Sequence, residues 1–147
     1  MGSNGSRSAS RHNMTAQDIV NECGENNNAK NLHILVTGAT SGIGIEISRI
    51  LALAGAKVYL MGRSETKLQQ VLENINKELQ EKSSNGSIQG VICDLNSLLS
   101  IKQFAEKFTK ENTPLNILIL NAGVRNGNFA QTVDGLEQVM GVNHIGH

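Results

Sequence analysis

The sequence predicts an α/β protein with a doubly wound parallel sheet, and three observations support this. Short apolar segments alternate four times with longer segments whose apolar residues recur at helical spacing. The first apolar segment leads directly into a glycine-rich turn at residues 38–44. Glycine or polar residues follow each of the four apolar segments. Repeated strand–helix units are joined by right-handed crossovers, which make the strands parallel.

The strands are predicted from short runs rich in Val, Ile and Leu. They span residues 32–36, 57–61, 88–93 and 115–120. The fourth run follows Pro114 and is almost wholly apolar, which is typical of a strand covered on both faces.

Each helix is predicted from an apolar face and from the residues at its ends. The faces are Ile43, Ile47, Ile50, Leu51 and Ala54; Leu68, Val71, Leu72, Ile75 and Leu79; and Ile101, Phe104, Ala105 and Phe108. Gly55 ends the first of these helices, and Ser64 and Ser97 are N-cap candidates for the others. A last helix is predicted to begin near Asp134, with Leu136, Val139 and Met140 facing inward.

Residues 1–30 differ from the domain at residues 31–147 because they are polar and lack a regular pattern. Residues 1–6 resemble a remnant of cloning, and residues 25–28 are too polar to pack. Between them, Thr15 is an N-cap candidate for a short helical turn that lies on the domain.

The composition excludes several classes of function. The 147 residues carry 13 basic and 13 acidic side chains, so no net charge favours nucleic acid or an anionic membrane. No apolar run reaches the length of a membrane span, and no signal segment is present. Cys23 and Cys93 lack C-x-x-C spacing, which predicts a reduced, cytoplasmic protein with Cys93 buried in a strand. His144 and His147 have no further ligands nearby in the sequence, so no metal site is predicted.

The glycine-rich turn is the strongest candidate for a binding site. Gly38 and Gly42 allow a tight turn and a close approach of the backbone to a ligand, while Gly44 lets the following helix lie against the strand. Unpaired amides at the start of that helix form a site for a phosphate or pyrophosphate. The spacing is G-x-x-x-G-x-G, not the common G-x-G-x-x-G, so the turn alone is weak evidence. The predicted contacts with a dinucleotide are Gly38, Thr40, Ser41, Gly42, Ile43 and Gly44.

Arg63 follows the second strand, where an NAD-binding domain usually has an acidic residue for the ribose 2′-hydroxyl. No Asp or Glu stands there before Ser64. A guanidinium at this point suits a 2′-phosphate, with which it forms charge-assisted hydrogen bonds. The alternative is a solvated arginine at a helix start. The geometry favours NADP(H) over NAD(H).

The third and fourth loops supply further candidates at the same edge of the sheet. Asp94 is suited to accept a hydrogen bond from an adenine amino group, with the Leu95 amide as a donor, although Asp94 is equally a candidate for the cap region of a helix. Asn121 is predicted to link neighbouring loops, and Ala122 and Gly123 leave room for a ribose. Four loops at the carboxyl ends of parallel strands are the arrangement of a Rossmann-type sheet.

Asn143 shares the predicted inward face of the last helix, so its amide should be hydrogen bonded. It is either a satisfied core amide or an amide of a catalytic site.

These motifs resemble the short-chain dehydrogenase/reductase family in order and spacing. The matching segments are residues 37–44, 94–95, 121–123 and 142–147. Within the family, residues 62–63 and 143–147 are most similar to the retinol dehydrogenase and WW-domain oxidoreductase branch. The resemblance covers residues 15–147 and only the N-terminal portion of such enzymes. The fold is therefore expected to be truncated after the fourth strand and the following helix.

The resemblance implies an NADP(H)-dependent enzyme that interconverts an alcohol and a carbonyl, with a small molecule as substrate of the full-length form. Family members use a catalytic Asn, Ser, Tyr and Lys. Of these four residues, only the Asn has a counterpart in this sequence, Asn143. The single tyrosine, Tyr59, lies in the second strand and is followed four residues later by Arg63 instead of Lys. We therefore expect no turnover by this chain alone.

Two other interpretations stay open at this level. The same half-fold could serve as a non-catalytic dinucleotide-sensing or scaffold module, or the glycines could belong to a flavodoxin-like nucleotide fold. The fourth strand would also be a free edge, which predicts self-association through residues 115–120.

Overall fold

The structure, a computed structural model, describes residues 14–22, 29–125 and 127–147. The strands in these ranges are β1 (His33–Thr37), β2 (Lys57–Gly62), β3 (Ser87–Ile92) and β4 (Ile117–Ile119). The helices are α1 (Ala16–Glu22), α2 (Gly42–Leu53), α3 (Glu65–Glu81), α4 (Leu98–Lys110) and α5 (Gln138–Met140), and a π-helical turn follows at Gly141–Ile145. The expectations for residues 1–13 and 23–28, including Cys23, lie outside the described residues.

The sheet has the order β3–β2–β1–β4 and every pairing is parallel. Leu35 pairs with Tyr59 on one side and with Leu118 on the other. The chain moves outward from β1 to β3 and then crosses back to β4, so β1 and β4 are adjacent at the switch point. The predicted doubly wound α/β class is confirmed.

Strand residues alternate between two apolar layers, as the period of a strand requires. Ile34, Val36, Val58 and Leu60 are buried against α2 and α3 on one face. On the other face Leu35, Tyr59, Met61 and Cys93 pack against Ile101, Phe104 and Phe108 of α4. The burial of Cys93 confirms its prediction. The helix α4 covers this face of the sheet less completely, since none of its residues is fully buried.

Capping explains where most helices begin. Ser64 Oγ accepts from Lys67 N at 3.4 Å, and Ser97 Oγ accepts from Ser100 N at 3.3 Å, which confirms both predicted caps. Thr15 and Asp18 exchange backbone–side-chain hydrogen bonds at the start of α1, a reciprocal arrangement that stabilises this short helix. The helix α1 packs on α2, so the predicted short helical turn lies on the domain.

The fourth strand is shorter and more exposed than its sequence predicts. Asn116 Oδ1 accepts a hydrogen bond from His33 N, and Asn116 N donates to the His33 carbonyl oxygen. Regular pairing of β4 with β1 therefore begins only at Ile117. Leu118 is 49% exposed and Leu120 is 54% exposed. The expected covering on both faces is wrong for the described residues, because β4 is an edge strand whose main contacts are with β1 and not with a helix on either face. The predicted free edge is present.

The last helix does not begin near Asp134. The Asp134 carboxylate instead accepts from Leu98 N at 2.8 Å and so caps α4. Glu137 caps α5, accepting from Val139 N at 2.9 Å and from Met140 N at 2.7 Å, and these bonds lower the pKa of its carboxyl group. Met140 is exposed, contrary to the prediction. Aspartate is a preferred N-cap residue, so the sequence favours Asp134 at the start of this helix, and only the fold shows that its carboxylate caps α4.

Candidate functional site

A cleft of about 560 Å³ lies at the carboxyl ends of the four strands. The loops after β1, β2, β3 and β4 all contribute to its walls. The predicted site residues that line it are Gly38, Thr40, Ser41, Gly42, Ile43, Arg63, Asp94, Leu95, Asn121, Ala122 and Gly123. Gly44 and Asn143 are not among the residues of its wall. The structure therefore brings together residues that are far apart in the sequence.

The glycine turn after β1 leaves the start of α2 open to the cleft. Ser41 occupies the N-cap position, but its side chain forms no capping hydrogen bond. Gly38 and Gly42 have φ values of +66° and +51°, a region that glycine enters without strain. Amides of the first turn of α2 therefore stay available to a ligand, and the dipole of the twelve-residue helix favours an anion there.

Gly44 acts through packing. An ideal Cβ at this position would lie 2.4 Å from the Gly38 carbonyl oxygen and 2.7 Å from Asn121 Nδ2. No side chain larger than hydrogen fits there without a shift of α2. The prediction that Gly44 permits close contact between helix and strand is confirmed.

Ile43 was predicted to face the core with the rest of α2, and this is wrong. Its side chain is 74% exposed and lies at the wall of the cleft.

Thr37 and Asn121 join the ends of β1 and β4. Thr37 Oγ1 accepts from Asn121 N at 3.0 Å and from Ala122 N at 2.9 Å. Asn121 Nδ2 in turn donates to the Thr37 carbonyl oxygen at 3.0 Å. Asn121 thus links neighbouring loops, as predicted. Sequence reasoning assigned no role to Thr37, although a buried threonine at the end of a strand has a hydroxyl that must be bonded.

Two basic side chains border the cleft at the end of β2. Arg63 follows the strand, and Lys67 lies in the first turn of α3. Within the described part of the chain neither forms an ion pair. Lys67 was missed by sequence reasoning. The sequence did contain an indication of Lys67. It stands four residues after Arg63, just inside a helix that Ser64 caps, so both side chains can reach the same site.

In the loop after β3, Asp94 has the role expected of a residue in the cap region of a helix. Asp94 Oδ1 accepts from Asn96 N at 3.0 Å, a turn that precedes the start of α4. The carboxylate nevertheless lines the cleft together with Leu95. Cys93 lies beside it, and burial raises the pKa of its thiol, so this group is a neutral part of the wall.

Asn143 is exposed, so its predicted inward orientation is wrong. The π-helical turn changes the register of the segment, and Val142 is the buried residue instead. The expectation that the amide is bonded is confirmed. Asn143 Oδ1 accepts from Val124 N at 2.7 Å, and Nδ2 donates to the Val124 carbonyl oxygen at 3.0 Å. Because Val124 lines the cleft, these two hydrogen bonds connect Asn143 to the wall of the cleft.

Comparison with known proteins decides the family. A family model described as short chain dehydrogenase matches residues 32–147, most of the chain. The chain belongs to the short-chain dehydrogenase family. This confirms the resemblance inferred from the motifs.

Relatives within the family agree with the branch expected from residues 62–63 and 143–147. A WW domain-containing oxidoreductase from Gallus gallus is 40% identical over 118 residues, 78% of this chain and 27% of the relative. Retinol dehydrogenase 12 from Mus musculus is 40% identical over 114 residues, 78% of this chain and 35% of the relative. The chain thus spans about a third of the length of the curated relatives it matches.

A solved short-chain dehydrogenase from Sphingobium yanoikuyae in complex with NADPH is similar in structure. It has a TM-score of 0.63 and 26% sequence identity, with 78% of this chain and 44% of that chain covered. The Rossmann-type arrangement of this short-chain dehydrogenase chain is thereby confirmed.

Other classes of site find no support in the described ranges. Among those residues, no group of three or more His, Cys, Asp and Glu side chains is placed to hold a metal ion. No described helix is long and apolar enough to cross a membrane.

Proposed function

We propose that this chain is the NADP(H)-binding portion of a short-chain dehydrogenase that interconverts an alcohol and a carbonyl by hydride transfer. The observation that carries the proposal is one cleft that combines open amides at the start of α2 with Arg63 and Lys67 at the end of β2. Amides without partners suit a pyrophosphate, and two unpaired cations suit one further phosphate.

The shape of the cleft agrees with a dinucleotide. In the described ranges, no atom outside the chain neighbours and the backbone of α2 lies within 4 Å of an ideal Cβ at Gly42, so space is open beside this amide for a phosphate. Asp94 and the Leu95 amide are the candidates for holding the adenine, while Ala122 and Gly123 leave room for a ribose. Arg63 and Lys67 would hold the 2′-phosphate that distinguishes NADP(H) from NAD(H).

The bound cofactor would supply the site that accepts or gives a hydride. The residues of the cleft would fix the position of the cofactor. By analogy with the family, Asn143 would support the path of the proton. Removal of a hydride from an alcohol carbon also requires loss of the hydroxyl proton to a base.

We further propose that these residues alone do not catalyse turnover. Tyr59 is the single tyrosine in the sequence and therefore the only phenol that these residues offer. It is buried in β2, and its hydroxyl lies 3.2 Å from His33 Nδ1 at the first residue of β1, away from the cleft. Oxidation of an alcohol by the purified chain, followed by the absorbance of NADPH, would contradict this.

Calorimetric titration of the chain with NADPH and separately with NADH tests the proposed function. We expect binding of both, with NADPH bound roughly tenfold or more tightly, since its 2′-phosphate adds charge-assisted hydrogen bonds. Equal affinities would refute the role of the two cations, and absence of binding would refute the site.

A cytoplasmic location stays a prediction based on the cysteine usage. Relatives include chloroplast proteins from Brassica napus, so membership of the family does not decide the compartment.

Self-association through β4 is also proposed. β4 offers an unpaired edge, and Ile117, Leu118 and Leu120 are partly exposed around it. Leu118→Lys should lower the average mass in light scattering, because a charge on an edge strand disfavours further pairing. Ile19→Lys, at an exposed residue of α1, is the matched control and should leave the mass unchanged. A wild-type monomer at all concentrations would contradict the proposal.

A further inference from the structure

His147 makes two contacts that join the end of β1 to the turn that carries Asn143. Its Nε2 lies 2.9 Å from Thr37 Oγ1, and its Nδ1 lies 3.2 Å from the Asn143 carbonyl oxygen. The imidazole therefore bridges a buried strand residue and Asn143, an exposed residue of the π-helical turn. Neither contact is explained by the cofactor site, because His147 is not part of the wall of the cleft.

The hydrogen bonds of Thr37 determine which ring nitrogen carries the proton. A hydroxyl oxygen has two lone pairs and one proton. Both lone pairs are in use, since Oγ1 accepts from Asn121 N and Ala122 N. The hydroxyl proton has two acceptors in reach, the Ile119 carbonyl oxygen at 3.5 Å and His147 Nε2 at 2.9 Å. The shorter contact assigns the proton to His147, so Thr37 donates and Nε2 accepts. A hydrogen on Nε2 would have no lone pair to meet.

The other side of the ring leads to the same tautomer. The Asn143 carbonyl oxygen can only accept, so Nδ1 must donate to it. One neutral form satisfies both contacts, with the proton on Nδ1 and none on Nε2.

The bridge continues from His147 to the wall of the cleft. Asn143 holds both the amide and the carbonyl of Val124, and Val124 follows the segment whose amides Thr37 binds. A closed circuit of hydrogen bonds thus runs from Thr37 through His147, Asn143 and the loop after β4 back to Thr37. Removal of one member would loosen the rest.

We propose that His147, as the neutral Nδ1–H tautomer, is a positioning residue that fixes Asn143 and the loop after β4 relative to β1. Its relevance to catalysis rests on the proposed function of Asn143. The circuit itself does not, and it is tested on the chain without cofactor.

The first test is the ¹⁵N spectrum of the histidine rings in the purified chain, under mildly alkaline conditions. His147→Gln identifies the resonance, and the expected pattern is a protonated Nδ1 with an unprotonated Nε2. A protonated Nε2, or the averaged pattern of a free ring, would overturn the proposal.

The second test measures amide hydrogen exchange at Val124. His147→Leu removes both ring contacts at similar volume and should speed exchange roughly tenfold, because the Asn143 side chain loses its support. His147→Gln retains an acceptor for Thr37 and should recover part of the protection. His144→Leu, on the same turn, is the control and should leave it unchanged. Unaltered exchange in His147→Leu would overturn the proposal, whatever the affinity for NADPH.

Discussion

Gly44→Ala is expected to lower the free energy of unfolding by roughly 1–3 kcal/mol and to abolish cofactor binding. The new methyl group would lie 2.4 Å from the Gly38 carbonyl oxygen and 2.7 Å from Asn121 Nδ2. Both atoms belong to the junction of β1 and β4, so the clash can be relieved only by moving α2. That movement would carry the open amides away from the other loops.

The direction of this effect distinguishes packing from helix propensity. Ala in place of Gly within a helix normally adds about 1 kcal/mol of stability, so propensity alone predicts a more stable protein. Urea unfolding followed by circular dichroism measures the result. Gly127→Ala, in the loop after β4, is the control for the loss of a glycine without a clash. Among the described residues, no atom outside its chain neighbours lies within 4 Å of its ideal Cβ, so this substitution should be nearly neutral. Stability of Gly44→Ala equal to or above that of the wild type would contradict the account.

Arg63→Ala is expected to weaken binding of NADPH by roughly 10- to 100-fold, because hydrogen bonds to a charged group contribute about 1.5–3 kcal/mol each. Binding of NADH should change little, since it has no 2′-phosphate. Lys67→Ala should act in the same direction with a smaller effect, because an ammonium group is a point charge without the planar fork of a guanidinium. Calorimetry with both cofactors gives the four affinities.

Lys77→Ala is the matched control for these substitutions. It removes one positive charge from an exposed position farther along α3, and should leave both affinities unchanged. An equal loss of NADPH and NADH binding in Arg63→Ala would show that Arg63 supports the shape of the loop, not the 2′-phosphate.

Those elements of the fold that local periodicity determines could be predicted from the sequence. The buried faces of β1 and β2, with Ile34 and Val36 on one side and Leu35 on the other, follow from alternation along a strand. The convergence of four loops follows from the parallel arrangement of strands. Neither requires knowledge of a contact between distant residues.

What could not be predicted depends on contacts between distant residues. Asp134 has the residue type that favours an N-cap before the last apolar pattern, and only the position of α4 assigns its carboxylate to Leu98. The π-helical turn replaces the expected helix, so Val142 is buried and Asn143 is exposed. The bond of His147 to Thr37 spans 110 residues and has no local signal.

The central claim is that the four loops form one site for a phosphorylated dinucleotide. Titration of the ¹⁵N-labelled chain with NADPH, followed by amide chemical shifts, tests it most directly. We expect the largest changes at residues 38–44, 62–64, 94–96 and 121–124, which line or support the cleft. Changes confined to another surface, such as the shallow basic depression formed by Lys30, Gly55, Lys82 and Ser83, would contradict the account.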